Sequence, residues 1–246
     1  LLLLTLGALV RQARQPEIIT LTPTLTGRPE LCLTCHQGIE EISASHPQVE
    51  FGCVLCHGGD GLALDADLVH ATLRGAGANP SDLAVVEESC GGSTCHSGPT
   101  ADSRDHIHRV MTTVMTTYTG AIAQVNYALA GSLTRVFAVQ DDVVTTATGV
   151  AALAAFSPGP DAPGAVHAFA QDCQLCHVTA VPLAQPYFFR ATGCAACHVI
   201  YQNDGLYRGS DPTIPRDEPG HAAAHQLTTA IPYYQCNHCH NRGNYS

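Results

Sequence analysis

Lysine and tryptophan are both absent from the 246 residues, and methionine occurs only twice. With 11 arginines as its only strong bases and a formal net charge of −10, the chain has no basic run able to neutralise phosphates, which excludes a nucleic-acid partner. Long stretches of helical or alternating apolar periodicity are scarce, whereas glycine (22) and proline (15) are frequent. Such a chain has too few patterned faces to build a self-sufficient core, so something besides side chains must help to fold it. The longest apolar run, residues 1–10 (LLLLTLGALV), is too short to span a bilayer. It leads into Arg11 and Arg14 and reads equally as the tail of a secretion signal or of a membrane anchor.

What the chain has in excess is cysteine, 12 in all, set in close pairs rather than at dispersed, disulfide-like positions. Five pairs read C-x-x-C-H: Cys32, Cys35 and His36; Cys53, Cys56 and His57; Cys173, Cys176 and His177; Cys194, Cys197 and His198; Cys236, Cys239 and His240. A sixth, Cys90 to Cys95 followed by His96, places four residues between its cysteines. Composition alone would give roughly 0.03 matches to C-x-x-C-H in this length, against five found. The spacing suits covalent haem attachment. Two thiols add across the vinyl groups of one porphyrin edge, and the adjoining imidazole reaches the iron from the same loop. Structural zinc competes for C-x-x-C pairs but does not require histidine directly after the second cysteine, and all six pairs have it. A disulfide framework fits less well, because C-x-x-C loops are reducible redox pairs rather than stable staples.

Six haems need six further axial ligands for closed coordination. The 14 histidines leave eight outside the attachment motifs: His46, His70, His106, His108, His167, His221, His225 and His238. Methionine would be the alternative ligand, but Met111 and Met115 sit four apart in an apolar stretch and read as packing. Bis-histidine ligation with low potentials is therefore expected at most or all haems. His46 and His70 flank the second motif beside short helical segments. His167 lies six residues before Cys173, and His221 and His225 would share a face of a short helix. His106 and His108 would point apart on a helix, with His108 the preferred ligand, and His238 lies within the last attachment loop. The arginines are expected to meet haem propionates.

The motifs form two triplets, each opening with a step of 21 residues, Cys32 to Cys53 and Cys173 to Cys194. This predicts a lead-in over 1–25, a first trihaem half over 26–155 and a second over 156–246, joined near Ser157 to Pro163 (SPGPDAP) as one haem-cored unit. Between the triplets, Val110, Val114, Ala121, Val125 and Leu129 predict a long helix over Asp105 to Ala130, and residues 137–153 suit a strand or an irregular segment. The fold class expected is mostly short α-helices and coil with little β, around a core of stacked haems.

The runs SHP at Ser45 to Pro47, GCVLCHGG at Gly52 to Gly59, NPSDL at Asn79 to Leu83, GCAACHVIY at Gly193 to Tyr201, DPTIPRDEPGH at Asp211 to His221 and QCNHCHNRGN at Gln235 to Asn244 resemble the multihaem c-type cytochromes of the periplasm and cell surface. The resemblance implies six covalently attached haems (iron) and extracytoplasmic electron transport. It also implies redox partner proteins or, in filament-forming relatives, further copies of the chain. Haem propionates would deepen the negative charge, so redox partners are expected to present basic or neutral faces. A multihaem reductase with one open haem is the enzymatic alternative. The absence of lysine rules out the lysine-ligated site of pentahaem nitrite reductases.

Overall fold

The computed structural model describes residues 17–75, 78–99, 105–113, 116, 128, 143–145, 151–153, 160–172, 178 and 182–240. Short helices separated by turns and coil make up most of this, with one antiparallel pair of three-residue strands, Val143–Thr145 and Ala151–Leu153, in which Val144 lies opposite Ala152. The fold is therefore of the low-β type that the sequence leads one to expect.

The helices are short because the chain punctuates them. Pro47 opens Gln48–Phe51, and Gly52, at φ +69°, closes it. Val54–His57 ends at Gly58, φ +72°. Ala66–His70 starts at Asp65, whose carboxylate accepts the N–H groups of Asp67 and Leu68. Of the long helix predicted from Asp105 to Ala130, the described part is His106–Met111. It closes at Thr112, whose hydroxyl donates back to the carbonyls of His108 (2.9 Å) and Arg109 (3.2 Å). Val114, Met115, Ala121, Val125 and Leu129 lie outside the described residues.

The short helix expected to carry His221 and His225 does not form; the segment is a series of bends. Its backbone groups pair with other strands of chain instead of with each other. Ala223 donates to Ile200 and accepts from Arg208, both at 2.8 Å, and Leu227 donates to Ile42 at 2.7 Å.

Among the described residues, buried apolar side chains are few. Leu83, Val86 and Ile107 form a cluster against which Val110, Met111, Cys90 and Cys194 pack, so Met111 is packing material, as its spacing suggests. In contrast, Ile18, Leu25, Val49, Leu62 and Leu68 are each at least 58 % exposed. Among the described residues, apolar burial thus supplies little of the usual driving force for folding.

The N- and C-terminal portions are tied by hydrogen bonds across large sequence separations. Asn79 donates to the carbonyl (3.0 Å) and hydroxyl (3.1 Å) of Thr192, whose hydroxyl donates to Asp82 (2.9 Å). Ser81 accepts the Ala195 N–H on its hydroxyl at 2.9 Å. Glu40 accepts from the Tyr207 hydroxyl (3.0 Å) and from the backbone of Ser210 (2.5 Å) and His225 (3.1 Å). No described helix is long and apolar enough to cross a membrane. Residues 1–10, and residues 154–159 of the expected junction, lie outside the described residues.

Candidate functional site

Each described Cys-His loop closes on itself by the same bond. The N–H of the histidine donates to the carbonyl of the first cysteine: His36 to Cys32 at 3.1 Å, His57 to Cys53 at 2.9 Å and His198 to Cys194 at 3.0 Å. In the wider loop, His96 still donates to Cys90, at 3.1 Å, so the two additional residues bulge outward and the closure is kept. The last loop, Cys236 to His240, lies within helix Tyr233–His240. One turn of helix sets two thiols three residues apart on one face with the imidazole beside them.

Left-handed glycines deliver the chain into two of these loops. Gly52 and Gly193, at φ +69° and +63°, immediately precede Cys53 and Cys194. A Cβ on either would collide with neighbours, Pro23 and Glu30 for Gly52 and the Ser81 carbonyl for Gly193. Glu30, only 3 % exposed, caps the second loop by accepting the N–H groups of Cys53 (2.7 Å) and Val54 (3.3 Å). Arg74 donates to the carbonyls of Leu55 (2.6 Å) and Cys56 (3.2 Å) at its other end. Gln235 ties the last loop to the one before it, donating to Ala196 (3.0 Å) and Val199 (2.9 Å) and accepting from Tyr201 (3.2 Å).

The histidines come together in pairs, one from a loop and one from outside. The ring centres of His36 and His70 are 6.1 Å apart, those of His57 and His225 5.9 Å, and those of His96 and His46 5.9 Å with 23° between their planes. Their Nδ1 atoms are largely occupied. His36 donates to Asp211 (2.7 Å), His57 to the Ala78 carbonyl (3.2 Å), His198 to the Thr228 carbonyl (2.8 Å) and His225 to the Glu40 carbonyl (3.1 Å). His46 Nδ1 lies 3.0 Å from the Ser43 hydroxyl. The bonds to carbonyls and to the carboxylate fix those rings with the proton on Nδ1 and leave Nε2 for a metal, whereas the Ser43 hydroxyl, able to donate or accept, orients the His46 ring alone. Burial, with His225 adding to it, pushes His57 down to about 4, so this imidazole is neutral at ordinary pH.

The remaining histidines differ. His106, rather than His108, brings its ring to a loop histidine, 5.5 Å from His96. His238, 2 % exposed, has both ring nitrogens against backbone carbonyls, Tyr187 at 2.8 Å and Tyr201 at 3.3 Å. His167 lies on helix Gly164–Asp172, and His221 is held by its backbone N–H on Gly205 (2.8 Å). The fourth motif, Cys173, Cys176 and His177, lies outside the described residues.

Neighbouring loops are close enough for their thiols to interact. Burial pushes Cys56 up to about 11, with Cys90 and Cys95 adding to it, and Cys194 up to about 11, with Cys90 adding to it. Burial likewise raises Cys197, with Cys236 next in effect. The thiol of Cys53 hydrogen-bonds to Cys32, which lowers Cys32 and raises Cys53. Among the described loops, neighbours thus run in the order Cys32, Cys53, Cys90, Cys194, Cys236. Glu30, Cys32 and Cys53 place three donor atoms within 4.8 Å of one another. A zinc ion there would take one cysteine from each of two loops and leave Cys35 and Cys56 unused, on a carboxylate already committed to two backbone N–H groups.

A haem fits these residues. A metal bound by one imidazole nitrogen on each side at about 2 Å separates the two ring centres by about 6 Å, the spacing seen in all three pairs. Sequence reasoning did not single out Glu30, Glu40, Asp211 or Gln235. Burial and bonds to the loops mark Glu30, Asp211 and Gln235, and the bonds it accepts from Tyr207, Ser210 and His225 mark Glu40. No protein-family model matches the chain, and no curated protein or solved structure is significantly similar to it.

Proposed function

We propose that the chain is an extracytoplasmic hexahaem electron-transfer cytochrome. Its 12 cysteines would anchor six haems, and the histidine after each pair would supply one axial ligand. His70, His225 and His46 would supply the opposite ligands for the loops of His36, His57 and His96. The observation that carries this reading is the repeated pairing of a loop histidine with a non-loop histidine at 6.1, 5.9 and 5.9 Å. Among rivals for the place opposite His96, His46 is favoured over His106 because its ring centre lies 5.9 Å from that of His96, in line with the other two pairs, against 5.5 Å for His106. Haem iron, when bound, supplies a one-electron couple.

The chain's own contribution is placement. The loop closures fix each thiol pair against its histidine, the Nδ1 bonds to carbonyls and to Asp211 hold His36, His57, His198 and His225 in one tautomer, Ser81 and Gln235 tie loops to neighbouring chain, and Glu40 holds His225. Two histidines on an iron leave no open position, which favours electron transfer over substrate reduction at these three sites. A freely diffusing carrier and a filament subunit share this chemistry, and electron microscopy of native material separates them. The ligand assignment is tested by electron paramagnetic resonance of the oxidised protein. Low-spin ferric signals are expected at these three irons, and a substantial high-spin component traced to any of them would refute the pairing.

A further inference from the structure

The first loop differs from the Cys53 and Cys194 loops in what its histidine donates to. His57 and His198 direct Nδ1 to neutral backbone carbonyls. His36 donates instead to the carboxylate of Asp211, at 2.7 Å. That carboxylate is fully buried, and its other oxygen accepts from the backbone N–H and the hydroxyl of Thr213, both at 2.8 Å. The backbone N–H of Asp211 donates to the Tyr207 hydroxyl (3.0 Å), which donates in turn to Glu40 (3.0 Å). Asp211 is therefore held in place from several directions, and its one imidazole partner is His36.

A negative charge accepting the Nδ1 proton makes the opposite nitrogen a stronger donor to a metal and stabilises the higher oxidation state. A neutral carbonyl does so less. Resting on the haem reading above, we propose that Asp211 is a positioning and potential-setting residue that makes the haem of Cys32 and Cys35 more reducing than the haems of the Cys53 and Cys194 loops. With both haems bound, this would favour electron transfer from the first haem to the Cys53 haem, one iron being oxidised as the other is reduced.

The test is a spectroelectrochemical titration of the six-haem protein and of Asp211→Asn, which keeps the shape and removes the charge. One component is expected to rise by about 59 mV or more, a tenfold change in the ferric-to-ferrous ratio at fixed poise, while the others stay in place. Introducing His70→Met, which itself raises the potential of its own haem, identifies that component: the same one must move in both variants. Thr213→Ala removes the neutral hydroxyl 3.0 Å from the same nitrogen and keeps the carboxylate, so it should leave the component at or below its original potential. Six haems by intact mass with no component raised in Asp211→Asn, or a rise in Thr213→Ala, would overturn the proposal. A mass lacking haem would instead overturn the reading on which it rests.

Discussion

The imidazoles of His57 and His225 face each other with ring centres 5.9 Å apart and 34° between their planes, although one follows the second cysteine pair and the other lies near the C-terminal end of the described chain. Each is oriented by its own Nδ1 bond, to the Ala78 and Glu40 carbonyls. A histidine from beyond the Cys194 loop thus lies against the Cys53 loop.

Replacing His225 with alanine should therefore open the iron of the Cys53 loop alone. One of the six haems is expected to become high-spin and to bind added cyanide or carbon monoxide, while the rest remain low-spin. Electron paramagnetic resonance and ligand-difference spectra check this. An unchanged low-spin spectrum would mean that another residue is the ligand.

The pH dependence of that site follows from the burial of His57. Its folded value of about 4 lies below the roughly 6.5 of an unfolded chain, so the unfolded state takes up the proton first as the pH falls. The stability contributed by neutral His57 is complete above about 6.5 and is lost as the pH drops toward about 4. Ligation to iron would favour the neutral ring further, so the low-spin signature of this haem should persist on acidification through about pH 6.5, where an unfolded histidine takes up its proton. A spectroscopic acid titration that loses it near pH 6 would contradict the assignment.

Glu30→Ala should strip the cap from the second loop. The N–H groups of Cys53 and Val54 would each lose a buried acceptor, at about 1–3 kcal/mol apiece. The expected outcome is a lower melting temperature and a five-haem species by mass, because the loop no longer presents both thiols together. Equal occupancy and stability would show that water replaces the carboxylate.

Gly193→Ala forces a side chain into left-handed backbone and against the Ser81 carbonyl, which should destabilise the protein by about 1–3 kcal/mol. The damage should centre on the contact between the Cys90 and Cys194 loops, read as loss of hydrogen-exchange protection around residues 79–82 and 192–196. Gly164→Ala, where a Cβ meets nothing within 4 Å, serves as the control.

The local chemistry of the loops was legible in the sequence because it is short-range. A cysteine, a second cysteine and a histidine within one turn define their own closure, and even the wider Cys90 loop keeps it through His96. The prominence of short helices was readable from the glycine and proline punctuation. What could not be read was long-range. The pairing of His57 with His225 depends on bends at 221–225 that replace the expected helix, because backbone groups there bond to Ile200 and Arg208. That the His106 ring approaches His96 is likewise decided at long range, by how His106 and Ile107 dock their N–H groups on the His96 carbonyl. Asp211 lay within a recognised run of residues, yet nothing in that run says that its carboxylate meets His36.

Intact-mass spectrometry of the purified, native protein combined with metal analysis addresses the underlying chemistry most directly. The account predicts a polypeptide carrying six covalently bound haems, one iron for each, and no thiol free to alkylate. A bare polypeptide mass, or zinc in place of iron, would contradict it.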